Sequence, residues 1–119
     1  FGGLDEQMNP INKLELFDLT TYRWEKIQTT GKAPQGRHSC SAFIVKDRLF
    51  IIGGTKSNDL FDKTGFFNDV YMLDLNSLCW LEAKISGVGN NIPPQMSYSQ
   101  IFNYHENKKW IYICPENTK

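Results

Sequence analysis

An eight-residue segment of this chain, Asn12-Lys13-Leu14-Glu15-Leu16-Phe17-Asp18-Leu19, returns as Asn68-Asp69-Val70-Tyr71-Met72-Leu73-Asp74-Leu75. At the same spacing of 56 residues Trp24 returns as Trp80 and Gly31 as Gly87, so three separate features keep one register. A period of this length marks a stack of similar supersecondary units, each needing its neighbours to bury an apolar face. Upstream, Gly2-Gly3 returns as Gly53-Gly54 at a shorter spacing, and Pro34 returns as Pro94 at a longer one. The differences fall in polar, Pro/Gly-containing stretches and not in the apolar runs, which makes those stretches the loops.

The best-preserved unit predicts four short strands: Ser39 to Val45, Leu49 to Ile52, Asp69 to Leu75 and Cys79 to Ile85. They are rich in Phe, Ile, Val, Leu and Tyr and are bounded by Gly, Asn, Asp and Pro, with no helical period. Phe43-Ile44-Val45 and Leu49-Phe50-Ile51-Ile52 do not alternate, so these strands are expected to be covered on both faces. Four strands between similar neighbours, repeated about every fifty residues, describe a blade of a β-propeller better than a sandwich. The fold class is all-β.

The residues that keep the register resemble the kelch-repeat family. Phe1-Gly2-Gly3 and Ile52-Gly53-Gly54 are similar to its diglycine at the end of the second strand, Asp18 to Trp24 and Asp74 to Trp80 to its Asp-then-Trp spacing, and Pro34 with Arg37 to the approach to the next first strand. The resemblance implies blades of four antiparallel strands. Residues 1–31 are then the end of one blade, 37–86 one full blade and 97–114 the start of a divergent third, in which Lys109 to Cys114 is a second strand without its diglycine and Ser97 stands roughly where Arg37 would. It further implies that Trp24 and Trp80 fill the space between blades and that Arg37 hydrogen-bonds loop carbonyls between adjacent blades. Gly53 and Gly54 permit backbone angles or close approaches that a Cβ would forbid.

Such a stretch is an incomplete propeller, since closure takes about four to eight blades. It is expected to be a piece of a larger ring. Its two ends share one phase of the repeat, so copies joined head to tail can also supply each other's missing strands.

Thirteen basic and thirteen acidic residues balance, which removes the positive field that drives nucleic-acid or anionic-membrane association. No apolar run is long enough to span a bilayer as a helix. Cys40, Cys79 and Cys114 are isolated, odd in number and free of a CxxC pattern, and Asn-x-Ser/Thr sites are absent, which points to an intracellular, cytoplasmic setting. His38 and His105 fit no metal-ligand spacing, and no phosphate-cradling loop or nucleophile elbow occurs, so no cofactor and no catalysis are expected of this region.

The expected function is protein–protein interaction, as a scaffold, adaptor or targeting module, because rigid blades hold loops in fixed positions at one end of the ring. On the resemblance those loops are Leu4 to Ile11, Thr30 to Gly36, Thr55 to Phe67 and Gly87 to Gln95. The candidate contact residues are Lys32 and Gln35 on the second, and Lys56, Asn58, Asp59, Phe61, Asp62 and Lys63 on the third, where charge supplies orientation and Phe61 buried area. Phe66 and Phe67 are either further contacts or the beginning of the next strand. The rival reading is a fragment of a metal-containing kelch-type enzyme such as a galactose-oxidase-like oxidase, whose metal site would draw Tyr, His and Cys from several blades.

Overall fold

The computed structural model describes residues 1–59, 62–84, 100–104 and 109–113, the last two as backbone strands. Among the described residues nine strands follow in chain order: β1 Glu15–Asp18, β2 Arg23–Lys26, β3 Thr30–Gly31, β4 Ser41–Val45, β5 Arg48–Ile52, β6 Val70–Asp74, β7 Cys79–Glu82, β8 Gln100–Tyr104 and β9 Lys109–Ile113. A 3₁₀ turn, Lys63–Gly65, interrupts the long segment between β5 and β6. The strands form three sheets: β1-β2, β3-β7-β6-β5-β4, and β8-β9.

The central sheet is the complete blade. Strands β4 to β7 form an antiparallel meander, in which Ile51 faces Tyr71 and Leu73 faces Trp80 across neighbouring strands. Side chains two apart on a strand share a face, and this face carries the core: Ile51, Leu73, Tyr71 and Trp80 are buried. Phe1 and Leu14 of the preceding unit pack against that cluster. The other face carries Phe43 and Phe50, stacked at 5.0 Å between ring centroids and half-buried. Ile44 and Leu81 are exposed, so the expectation of strands covered on both faces holds for the middle of the sheet and not for its margins.

One strand escapes the sequence pattern. Thr30 and Gly31, expected as the start of a loop, pair in parallel with Cys79 and Trp80 and form a fifth, outermost strand of the blade. The chain crossing from the first unit to the second is thus sewn to the second unit's edge before it turns inward to β4. A Cβ on Gly31 has no room there, because its nearest neighbours are the Trp80 backbone atoms.

The Asp-to-Trp spacing is the geometry of a hairpin turn. Asp74 Oδ1 accepts the backbone N–H groups of Asn76 at 3.0 Å and Ser77 at 2.9 Å, and Leu78 adopts a positive φ of 53° before β7 begins. In the first unit Asp18 Oδ1 accepts from Thr20 at 2.6 Å and Thr21 at 3.0 Å, and Tyr22 stands at φ 56°. A short acceptor side chain that caps the turn replaces the ladder bonds lost there.

The two tryptophans separate at this level. Trp80 is 3% exposed, with Phe1 edge-on at 5.4 Å and its indole N–H donated to Thr29 Oγ1 at 3.2 Å, so it lies between the two units. Trp24, at the matching position, is 70% exposed among the described residues and touches Phe17 of its own hairpin. The described residues place no unit on the side of β1-β2 that corresponds to the buried side of the central sheet.

Candidate functional site

In the first two units the diglycine leads into a loop held by backbone bonds that repeat. Ile11 N–H donates to Gly3 O at 3.0 Å and Phe67 N–H to Gly54 O at 2.9 Å; likewise Gly2 N–H reaches Lys13 O and Gly53 N–H reaches Asp69 O. Gly54 has φ 89°, and a Cβ there would lie 2.7 Å from His38 O, so the loop base is closed to any other residue.

Arg37 ties these bases together. Its backbone belongs to the preceding unit's loop, with its carbonyl accepting from Gly3 N–H at 2.9 Å and its N–H donating to Ile11 O at 3.1 Å. Its side chain reaches into its own unit, where Nη1 donates to Gly53 O at 2.9 Å and the guanidinium forms a two-pronged pair with Asp69, through Nη1 to Oδ1 and Nη2 to Oδ2. Nε donates to Gln35 O at 3.1 Å. The guanidinium carbon Cζ lies 4.0 Å from the Phe67 ring centroid, and Arg37 has no exposed surface. Phe67 is therefore committed to the base of the loop.

Above this base three loops converge at one end of the molecule. In the first, 4–11, Asp5 Oδ1 accepts from Asn9 N–H at 2.7 Å and Gln7 N–H at 3.0 Å, and Met8 stands exposed at φ 65°. In the third, 55–67, Thr55 is buried and bridges both His38 and Phe66. His38 Nε2 donates to the Ser57 carbonyl at 3.0 Å. Asp62 Oδ1 accepts from Thr64 N–H at 3.0 Å, starting the 3₁₀ turn. The two loops are joined directly, since Asn58 Nδ2 donates to Met8 O at 2.5 Å. The second loop packs below them, its Gly36 against Pro10.

Several carboxylates are spent on this architecture. Hydrogen bonds from Asn9, backbone first and then side chain, hold Asp5 below its ordinary value, and the Thr64 hydroxyl, ahead of other donors, does the same for Asp62.

Lys56, Asn58 and Asp59 are exposed on the third loop, and Lys32 and Gln35 on the second. Asp62 is half-buried and occupied as a turn cap. Lys63 is placed by its backbone at the head of the 3₁₀ turn, and Phe61 lies outside the described residues, as do His105, Cys114, Ser97 and the fourth loop, 87–95. The structure thus brings Asn58 of the third loop onto Met8 of the first, a juxtaposition no local pattern signals. Among the described residues no three His, Cys, Asp or Glu side chains gather as a metal site would require. Cys40 and Cys79 are free thiols, and burial pushes the Cys40 thiol up.

Residues 1–118 match a family model described as the KLHDC2/KLHL20/DRC7 Kelch-repeats domain. Among curated proteins, Kelch domain-containing protein 1 of Homo sapiens is 30% identical over 94% of this chain and 32% of its own length. The Leucine-zipper-like transcriptional regulator 1 homolog of Drosophila melanogaster is 30% identical over 94% of the chain and 11% of its own length. Tip elongation aberrant protein 1 of Schizosaccharomyces pombe is 28% identical over 73% of the chain and 7% of its own length. The chain spans a third or less of each of these relatives.

Proposed function

The chain belongs to the kelch-repeat family, and from that premise we propose that it serves as a protein-interaction module that grips its partner with the loop end of its blades. Kelch-repeat domains are in general protein-interaction modules, and nothing in this reading asks the region itself for catalysis. The single observation that carries the proposal is the joined pair of loops: Asn58 bonded to Met8 makes one continuous rim from two units, built on a fully buried arginine base. Rigid footing lowers the ordering cost of binding, and exposed Lys56, Asn58, Asp59, Lys32 and Gln35 supply orienting charge and hydrogen bonds around the apolar Met8. The free thiols Cys40 and Cys79 suit a reducing, intracellular setting.

The test begins with partners identified by proximity labelling in the cells that express the full-length protein. Binding is then measured for the triple variant Lys56→Glu, Asn58→Ala, Asp59→Lys and for Lys46→Glu, on the β4-β5 turn at the opposite end. The expected result is a loss of at least about tenfold in affinity for the triple variant and none for Lys46→Glu. Equal binding by both variants would move the interface away from this rim.

A further inference from the structure

The tip of the first loop is a tight hairpin whose bend is closed by a residue that the bend itself does not favour. Leu4 bridges Pro10, Met8 N–H donates to Asp5 O at 3.0 Å, and Asp5 N–H donates to Asn9 O at 3.0 Å. Glu6 and Gln7 are therefore the centre of the turn, and Met8 follows it at φ 65°. A turn closed by a left-handed residue is a common short hairpin loop, and glycine is its usual occupant there. Asparagine is tolerated at such a position, whereas a longer side chain sets its Cβ against the following carbonyl.

The turn thus gains nothing from the methionine side chain. That side chain is 55% exposed among the described residues, and the Asn58 amide holds only the Met8 carbonyl, a group every residue supplies. An apolar side chain kept in water on a costly backbone conformation argues for a contact made on binding. The charge around it narrows the kind of contact. Loop 4–11 holds Asp5 and Glu6 and neither lysine nor arginine. The Asp5 carboxylate accepts from the backbone and side chain of Asn9 and from Gln7 N–H, which fixes a negative charge on the same turn as Met8. Across the joint the Lys56 charge is answered within its own loop, where it joins the Thr64 hydroxyl in holding Asp62 below its ordinary value.

We propose that Met8 is the apolar anchor of the rim, seated on binding in a pocket of a partner protein that lysine or arginine side chains border. Methionine is unbranched and polarizable, so it enters an apolar pocket and packs well on aromatic walls. An apolar anchor ringed by polar contacts is where the energy of an interface concentrates. The strained backbone is then stability given up for function. This inference rests on the loop end being the binding surface, and it adds which residue carries the affinity and what chemistry receives it.

Affinity and thermal midpoint, measured together on the full-length protein with the partner found by proximity labelling, test it. Met8→Asn keeps the carbonyl that Asn58 holds and suits the left-handed backbone. It is expected to bind at least about tenfold more weakly while its midpoint stays equal or rises. Met8→Leu keeps the apolar volume and is expected to bind within about threefold of the parent. Glu6→Lys, at an exposed position, is expected to weaken binding by about threefold or more, with a loss that shrinks as salt is raised. Unchanged affinity of Met8→Asn would overturn the proposal and leave the rim in place, whereas unchanged affinity of the Lys56, Asn58 and Asp59 triple variant removes the rim itself. A lowered midpoint for Met8→Asn would also overturn it, because Met8 would then be held by a contact within the protein. A loss for Met8→Leu as large as for Met8→Asn would reject the apolar pocket, and unchanged or tighter binding by Glu6→Lys would reject its basic border.

Discussion

Arg37 brings a full positive charge into a place without solvent, and every polar contact around it answers that cost. Asp69 supplies the opposite charge in a planar two-pronged geometry, the Gly53 and Gln35 carbonyls take further donors, and the Phe67 ring covers one face. Removing only the carboxylate strands the charge, so Asp69→Ala is expected to cost about 3–5 kcal/mol, while the pair Arg37→Met with Asp69→Leu recovers most of it. Urea unfolding followed by tryptophan fluorescence measures both; a loss below about 1 kcal/mol for Asp69→Ala would mean the pair is not what holds Arg37. The resemblance implied carbonyl partners for Arg37, but Asp69 was not legible. It lies 32 residues away, and its counterpart in the first unit is Lys13, so the repeat itself breaks at that position.

Each hairpin joining the last two strands of a unit hangs on one aspartate. Backbone donors, Ser77 foremost for Asp74 and Thr21 foremost for Asp18, hold both carboxyls below their ordinary value. A group whose pKa is depressed on folding binds its proton more readily when unfolded. Its contribution is therefore complete above the unfolded value, near pH 4, and disappears as pH falls through the lower folded value. The expected outcome is a urea midpoint that drops between pH 7 and pH 3, with a smaller drop in Asp18→Asn/Asp74→Asn, which keeps the turn acceptor but has no proton to gain. An equal drop in both proteins would place the acid sensitivity elsewhere, Asp5 and Asp62 being the next carboxyls to replace. At this scale the apolar runs and their turn residues located β4 to β7 to within a few residues. β3 stayed hidden because a two-residue parallel edge strand has no periodicity to detect.

Stacked units share stability through their contacts, and the two tryptophans measure that sharing. They have the same spacing to the same aspartate, yet Trp80 is enclosed by Phe1 and Thr29 from the first unit and Trp24 is enclosed by nothing described. Trp80→Ala is expected to cost about 3–5 kcal/mol. Trp24→Ala in the dilute single chain is expected to stay within about 0.5 kcal/mol of the parent. Comparable losses would mean that Trp24 is covered in solution.

Whatever could be written locally was present in the residue order: the period, the strands, the turn-capping aspartates, and glycines where φ turns positive at Gly53 and Gly54. These depend on backbone sterics and on side-chain alternation, which act within a few residues. Which tryptophan is buried, which carboxylate meets Arg37, and which loops share a rim depend on what lies on the other side of a blade. Burial belongs to the neighbour as much as to the residue. Only the stacking of one unit on the next decided that Phe1 would close over Trp80 and that Asn58 would reach Met8.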